Sequence, residues 1–321
     1  MGMGEFELIE RYFKRPARQA AVGIGDDCAV WTPRPGHQLA FSADMLVEGR
    51  HFLSTVSPRS LGHKALAVNL SDLAACGATP RAFLLSLSLP TADDMWLSEF
   101  SQGLLSLADV HACELIGGDT TRGPLNIAIT VMGEIPNGQS VLRSTARTGD
   151  DIYVSGHLGD ARLALDVFRG RLSVPQAVFD LARVRLETPT PRIALGTDLR
   201  GLATAMADVS DGLLGDLGHI LKASGVGAQL NVSTLSQLML TRQAWDCPRE
   251  CWLRCVMSGG DDYELVFTAP PASQHAVEAA ALSSGTPITR IGRVTPDSGL
   301  VLMDDNGEVL HPEFSSFDHF A

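Results

Sequence analysis

Strand and helix signals alternate along nearly all of the 321-residue chain, and this alternation restricts the fold more than any other feature. A chain that switches repeatedly between a two-residue and a 3.6-residue apolar period builds mixed α and β layers. Residues 39–44, 82–89, 114–117 and 125–135 read as strands. A helix starts at Ser57-Pro58, where a capping hydroxyl precedes a first-turn proline, and stops at Gly77. Residues 93–113 read as a long amphipathic helix, and Asn137-Gly138 marks a turn. The stretch Arg147-Thr148-Gly149-Asp150 is polar, which sets the domain boundary there, with halves of residues 1–147 and 148–321. The second half repeats the alternation. Its strands are expected at 151–155, 204–209, 228–232, 262–268 and 288–294, with helices from Gly159, Pro175 and Pro191 and over 213–224 and 271–284.

Charge narrows the function. Lys and Arg number 25 against 37 Asp and Glu, a net charge of −12. Such a chain is a poor partner for nucleic acid, which is bound by neutralising phosphates with basic side chains. The lysines are Lys14, Lys64 and Lys222 alone, and none follows glycine, so a Gly-Lys-Ser/Thr phosphate loop is excluded. No apolar run approaches the roughly 18–20 residues of a membrane span. The first residues lack the apolar stretch of a signal peptide, and Phe6 breaks the myristoylation pattern. The expectation is a soluble cytoplasmic protein. Six cysteines do not make a disulfide framework. Cys247, Cys251 and Cys255 are spaced four apart, which suits one helical face, whereas zinc would need a fourth ligand.

Aspartate collects beside glycine and serine in six places. They are Gly25-Asp26-Asp27, Ser42-Ala43-Asp44, Ser71-Asp72, Gly117-Gly118-Asp119-Thr120, Asp208-Val209-Ser210-Asp211-Gly212 and Ser258-Gly259-Gly260-Asp261-Asp262. Carboxylates after strands suit hard divalent cations, and glycines let backbone N–H groups approach phosphate oxygens. Any one of these segments could equally be a turn or a cap; six in an acidic chain with few lysines favour function. Asp72 stands out because its helix is otherwise apolar, with Leu66, Val68, Leu70 and Leu73 around it. A carboxylate there is costly unless it is paired, metal-bound or on a wet face.

In one order, these segments resemble the thiamine-monophosphate kinases of the PurM-like superfamily. The resemblance also takes in Gly4-Glu5-Phe6-Glu7-Leu8-Ile9, Val47-Glu48-Gly49-Arg50-His51-Phe52, Gly77-Ala78-Thr79-Pro80, Arg143 and Tyr263-Glu264-Leu265, and so spans nearly the whole chain. It implies a two-domain α/β fold whose N-terminal sheet pairs with that of a second copy to form a dimeric barrel. It implies Mg²⁺-dependent phosphorylation of thiamine monophosphate by ATP. By family match, Asp27, Ser42, Asp44, Asp72, Asp119, Asp208 and Asp211 bind several Mg²⁺ ions. Gly118, Asp119, Arg143 and Ser210 contact the nucleotide, and His51, Asp261 and Phe317 contact the substrate. Asp72, Asp119 and Arg143 are the residues expected to carry catalysis. Two positions depart from the family: Asp261 replaces the usual Glu, and Phe317 stands where Trp or Tyr is common.

Elementary electrostatics agrees with this reading. An acceptor that is itself a phosphate monoester carries close to two negative charges, and ATP brings more. Their approach requires cations, and a chain with so few lysines must recruit metal ions. Three alternatives stay open: another ATP-dependent PurM-like enzyme, a metal-dependent phosphatase, and a non-catalytic nucleotide or metal sensor. The reactive-cysteine patterns of selenophosphate synthetases and of HypE are missing here. The apolar strands at 82–89 and 125–132 are expected to need cover from a partner chain.

Overall fold

The structure is a computed structural model and describes residues 4–310. Two compact units make up the chain. The first takes in the described chain to Leu73 and then Ala78–Gly138; the second takes Ala74–Gly77 and the described chain from Gln139 onward.

In the first unit, β1 (His37–Val47), β2 (Thr79–Leu89), β3 (Glu114–Arg122) and β4 (Asn126–Pro136) form a sheet in the order β1-β4-β2-β3. β4 runs antiparallel to both neighbours, and β2 and β3 are parallel. After α1 (Glu5–Leu8), which runs on as a π-helical turn over Ile9–Phe13, come α2 (Pro58–Ala75) and α3 (Asp94–Val110). Each of the two long helices starts on a side-chain cap. Ser57 Oγ accepts the Ser60 N–H at 3.1 Å, and Asp93 Oδ1 accepts that of Trp96 at 2.9 Å. α3 stops short of its sequence pattern because Ala112 adopts a left-handed φ of 48°. α2 is buried nearly all round, with Leu61, Leu66, Leu70 and Leu73 all inaccessible. It meets α3 backbone to backbone. A Cβ on Gly62 would fall 2.1 Å from the Phe100 carbonyl oxygen, and one on Gly103 would fall 1.9 Å from that of Arg59.

The sheet lies open only in part on the strands the sequence expectation named. β2 and β4 are its central strands, and Leu85, Leu87, Ile127, Ile129 and Val131 are buried within the unit itself. The exposed apolar surface is instead on edge strand β1, where Leu39, Phe41 and Met45 alternate with half-buried residues, joined by Leu84 of β2. β3 also runs five residues past its expected end, through Gly117 and Gly118, because pairing to β2 holds it extended.

The second unit has one seven-stranded sheet. Its strands are β5 (Asp151–Ser155), β6 (Ala205–Val209), β7 (Gly227–Asn231), β8 (Glu264–Ala269), β9 (Ile288–Thr295), β10 (Gly299–Met303) and β11 (Val309–Leu310), in the order β11-β10-β7-β9-β5-β8-β6. Around it lie α4 (Asp160–Phe168), α5 (Gln176–Glu187), α6 (Ile193–Asp198), α7 (Leu213–Ser224), α8 (Val232–Leu235), α9 (Arg249–Ser258) and α10 (Gln274–Ser284). Every residue of β5, β6 and β8 is buried, the polar Asp151, Ser155, Asp208, Glu264 and Thr268 among them. β8 begins two residues later than expected because Tyr263 has a left-handed φ of 51°. β10 and β11 have no counterpart in the sequence pattern.

The α2–α3 contact yields a test. Gly→Ala in a helix interior ordinarily stabilises by about 1 kcal/mol. At Gly103 the sign reverses, because the methyl group must push backbone aside. Gly103→Ala is expected to lower the unfolding free energy by about 1–3 kcal/mol. Urea melts would show a lower midpoint with an unchanged slope.

Candidate active site

In the first unit, the pleat of β1 puts Ser42 and Asp44 on one face, toward α2. Ser42 Oγ donates to the Asp72 carboxylate, and the Asp44 N–H donates to Asn69 Oδ1 at 3.1 Å. Asn69 is itself held by its Nδ2 on the Ala65 carbonyl one turn back, at 3.0 Å. Asn69 and Asp72, three apart, share a helical face, so one strand and one helix present a small cluster of oxygen donors. Asp72 is half-buried there, and the serine hydroxyl meets part of its desolvation cost.

Other candidates of this unit stand on other elements. Asp27 sits in an exposed turn whose shape comes from Gly25, at φ 125°, and its N–H donates to Asp26 Oδ1 at 2.8 Å. Gly118 and Asp119 lie on β3, the opposite edge of the sheet from β1, about 14 Å away at three strand spacings. Gly118 has no room for a side chain, since a Cβ would fall 1.8 Å from the Leu85 carbonyl oxygen. His51 lies in the turn after β1, where its Nδ1 accepts the Val47 N–H at 3.0 Å. That bond assigns the ring proton to Nε2. Lys64, only 2% exposed, donates from Nζ to the His51 carbonyl at 3.4 Å and steadies the same turn.

The second unit gathers more of the expected residues. β6 carries buried Asp208 and runs into Ser210-Asp211-Gly212 before α7. Asp216 Oδ2, in the first turn of α7, accepts both the Ser210 and Asp211 N–H groups at 3.0 Å. Burial pushes the Asp216 carboxyl up to about 7, and the charge of Asp211 adds to the rise; the two N–H bonds and Arg143 pull the other way. The loop before β8 clasps this turn. Asp261 N–H donates to the Ser210 carbonyl and Tyr263 N–H to that of Val209, both at 2.9 Å. Asp261 and Tyr263 pay for that fit with left-handed φ values of 69° and 51°. Thus Asp208, Ser210, Asp211 and Asp261 come together, with Arg143 close enough to act on Asp216. Phe317 lies outside the described residues.

Beneath the clasp is a buried ionic network. Glu264, fully buried, accepts from Ser155 Oγ, Arg185 Nη2 and Arg192 Nε, each at 2.6 Å. Asp262 Oδ2 accepts the Gly159 N–H at 2.9 Å, while Oδ1 is buried without a hydrogen-bond partner. Burial raises the Asp262 carboxyl well above the usual carboxylate range. Sequence reasoning missed Asp216 and Lys64. The available signals were an acidic residue four after the turn glycine and a lysine inside an apolar helix. Among the described residues, no three His, Cys, Asp or Glu are gathered as a ready-made metal cage. Mg²⁺ is commonly held by one or two carboxylates, with water and substrate phosphate completing its shell. The Ser42, Asp44 and Asp72 oxygens are a donor set of that kind.

Family models match both halves of the chain: AIR synthase related protein, N-terminal domain, over residues 25–135, and its C-terminal domain over residues 148–305. Fold and acidic turns therefore define an AIR synthase-related, PurM-like scaffold, as the sequence implied. The chain is 44% identical over 327 residues to the thiamine-monophosphate kinase of Escherichia coli (strain K12), covering 100% of this chain and 99% of the relative. The solved thiamine-monophosphate kinase of Stenotrophomonas maltophilia K279a superposes with a TM-score of 0.84 at 42% identity, covering 95% of this chain and 96% of that one. AaThiL complexed with AMPPCP and TMP gives 0.76 at 28% identity, covering 90% and 89%. The chain belongs to the thiamine-monophosphate kinase family.

Asp262 offers a pH test. Burial raises its carboxyl in the folded state, whereas it ionises above about pH 4 when unfolded. The unfolded chain thus binds fewer protons, and this group makes stability fall as pH rises out of the ordinary carboxylate range. Asp262→Asn keeps the neutral shape and removes the titration. Urea midpoints measured from about pH 5 to pH 8 should fall less steeply for the variant than for the parent protein.

Proposed function

We propose that this chain transfers the γ-phosphoryl group of ATP to the phosphate of thiamine monophosphate, giving thiamine diphosphate and ADP in a single in-line step with Mg²⁺. The observation that carries this reading is 44% identity to a thiamine-monophosphate kinase across the whole chain. A ThiL relative complexed with AMPPCP and TMP supports a nucleotide and a second ligand held at once. The reaction belongs in the cytoplasm, with ATP and Mg²⁺ at hand.

Asp27, Ser42, Asp44, Asp72 and Asp119 of the first unit, and Asp208 and Asp211 of the second, would hold Mg²⁺. All are hard oxygen donors, as that ion requires. When bound, the ions neutralise phosphate charge that three lysines cannot. Gly118, Asp119, Arg143 and Ser210 bind the nucleotide: Gly118 by the close approach that a missing side chain allows, Arg143 by a guanidinium that matches phosphate oxygens. His51 gives the monophosphate its Nε2–H, and Asp261 and Phe317 take the cationic heterocycle. The attacking phosphate oxygen is already deprotonated, so the residues position and neutralise, and none is needed as a strong general base.

The chain works as a homodimer joined through the sheet of the first unit. What supports this is the exposed apolar face on β1, where Phe41 is 63% and Met45 55% exposed. A surface of that kind favours a partner over water. Light scattering at micromolar protein should give the mass of two chains, and a monomeric mass would sink the barrel.

Incubation with ATP, Mg²⁺ and thiamine monophosphate separates the readings. Thiamine diphosphate is expected; release of thiamine would mean a phosphatase, and no product would mean a sensor. In the same assay Asp72→Asn should lose at least about a hundredfold in turnover while its circular dichroism and melting stay unchanged, because a lost ligand charge weakens metal binding and charge neutralisation together. A near-normal rate at limiting Mg²⁺ would remove Asp72 from the metal site.

A further inference from the structure

The chemistry above leaves three cysteines of the second unit unused. Cys247 lies just before Pro248, the capping residue of α9, while Cys251 and Cys255 lie along that helix. Spacing of four residues puts Cys251 and Cys255 on one stripe of α9, and Cys247 interacts with Cys251 from just before the helix. The central thiol, Cys251, interacts with both of its neighbours. Cys247 and Cys255 are buried, at 3% and 0% exposure, and Cys251 alone of the three reaches solvent. All three are free thiols.

This setting favours negative charge on the central sulfur. Cys251 accepts from Cys255 and Cys247 and lies near Arg254, which outweighs burial and the opposing charge of Asp166; its thiol is lowered to about 6. Cys247, on the donating side, is pushed up to about 12 by burial and by Cys251. The bond to Cys251, with burial, likewise pushes Cys255 up. A solvent-touching thiolate with a second thiol in reach is the arrangement of an oxidisable pair.

We propose that these cysteines form a hydroperoxide-reactive site, in which Cys251 is oxidised first and Cys247 then closes a disulfide with it. The Cys251 sulfur attacks one peroxide oxygen and the O–O bond breaks. Cys251 becomes a sulfenic acid, and the other oxygen leaves as an alcohol, or as water from hydrogen peroxide. The Cys247 sulfur then attacks Cys251, the S–O bond breaks, and hydroxide departs as water with the proton that Cys247 gives up. Two thiols have lost two electrons and the peroxide has gained them. Cys247 is the partner for a geometric reason. Residues four apart within a helix keep their Cβ atoms about 5–6 Å apart, whereas a disulfide needs roughly 3.5–4.5 Å. Cys255 is locked in α9 and cannot close that gap. Cys247 lies outside the helix and can.

Treating the whole protein with hydrogen peroxide near neutral pH, then blocking free thiols with iodoacetamide and digesting with trypsin, tests this directly. Cleavage after Arg249 and Arg254 puts the three cysteines on separate peptides. The expected product joins the Cys247 and Cys251 peptides, with Cys255 alkylated. Cys251 should react at least about tenfold faster than the exposed Cys28 and Cys76, which belong to no such cluster of thiols. In Cys247→Ser, the cross-link should vanish and dimedone should trap a sulfenic acid on Cys251. Oxidation of Cys28 or Cys76 while Cys251 is still alkylated would overturn the proposal, as would a cross-link between Cys251 and Cys255. Both of those outcomes can be read on the parent protein, whether or not a variant folds.

Discussion

Two consecutive N–H groups at the head of a tight turn cannot both be satisfied by the turn itself. In the second unit both go to one carboxylate, that of Asp216. This arrangement leaves the side chains of Ser210 and Asp211 available, because their backbones are already held from behind. It also leaves the carbonyls of Val209 and Ser210 facing outward, where they accept Tyr263 and Asp261. The two loops that carry the expected nucleotide, metal and substrate residues of this unit are therefore tied by two backbone bonds. The strained φ values at Asp261 and Tyr263 persist because the surroundings over-determine them. Beneath lies Glu264, held by two arginines and a serine.

The first unit reaches the same end by another route. Its donors stand on an edge strand and a buried helix whose apolar side chains pack into the core. α2 carries Asp72 and Asn69 on one face and buries Leu61, Leu66, Leu70 and Leu73 in the core. The distance from β1 to the Asp72 carboxylate is thus set by how closely α2 is seated in the core. Lys64, on the same helix, reaches the turn that holds His51. One helix serves two parts of the expected site.

Much of this is legible in the amino-acid sequence alone. α7 spans Leu213–Ser224, the range expected, because Gly212 and Gly225 sit at its ends with left-handed or otherwise glycine-only backbone. β5 likewise matches its apolar run. Local chemistry decides such elements, so the pattern reveals them. The pattern makes β3 too short because glycines ordinarily end strands, and here a neighbouring strand overrides that preference. Asp216 escapes a sequence reading for a related reason. Its partners are backbone donors, and a sequence does not show which N–H groups a turn leaves unsatisfied. The acidic motifs are visible as a set. Which of them meet is not, since the Ser42–Asp72 bond joins residues thirty apart.

The contact of α2 and α3 through Gly62 and Gly103 has a consequence for how this chain can change over time. Each glycine gives way to a backbone carbonyl of the opposite helix, so the two contacts guard the same gap. A side chain at either position forces the helices apart, and that movement relieves the other. The second substitution then meets a space already opened, and its cost is less than when made alone. Selection therefore acts on the pair jointly. While both glycines are present, each is held in place by the other. Once a lineage has lost one and repacked around it, the remaining glycine is released from constraint and its position becomes free to drift.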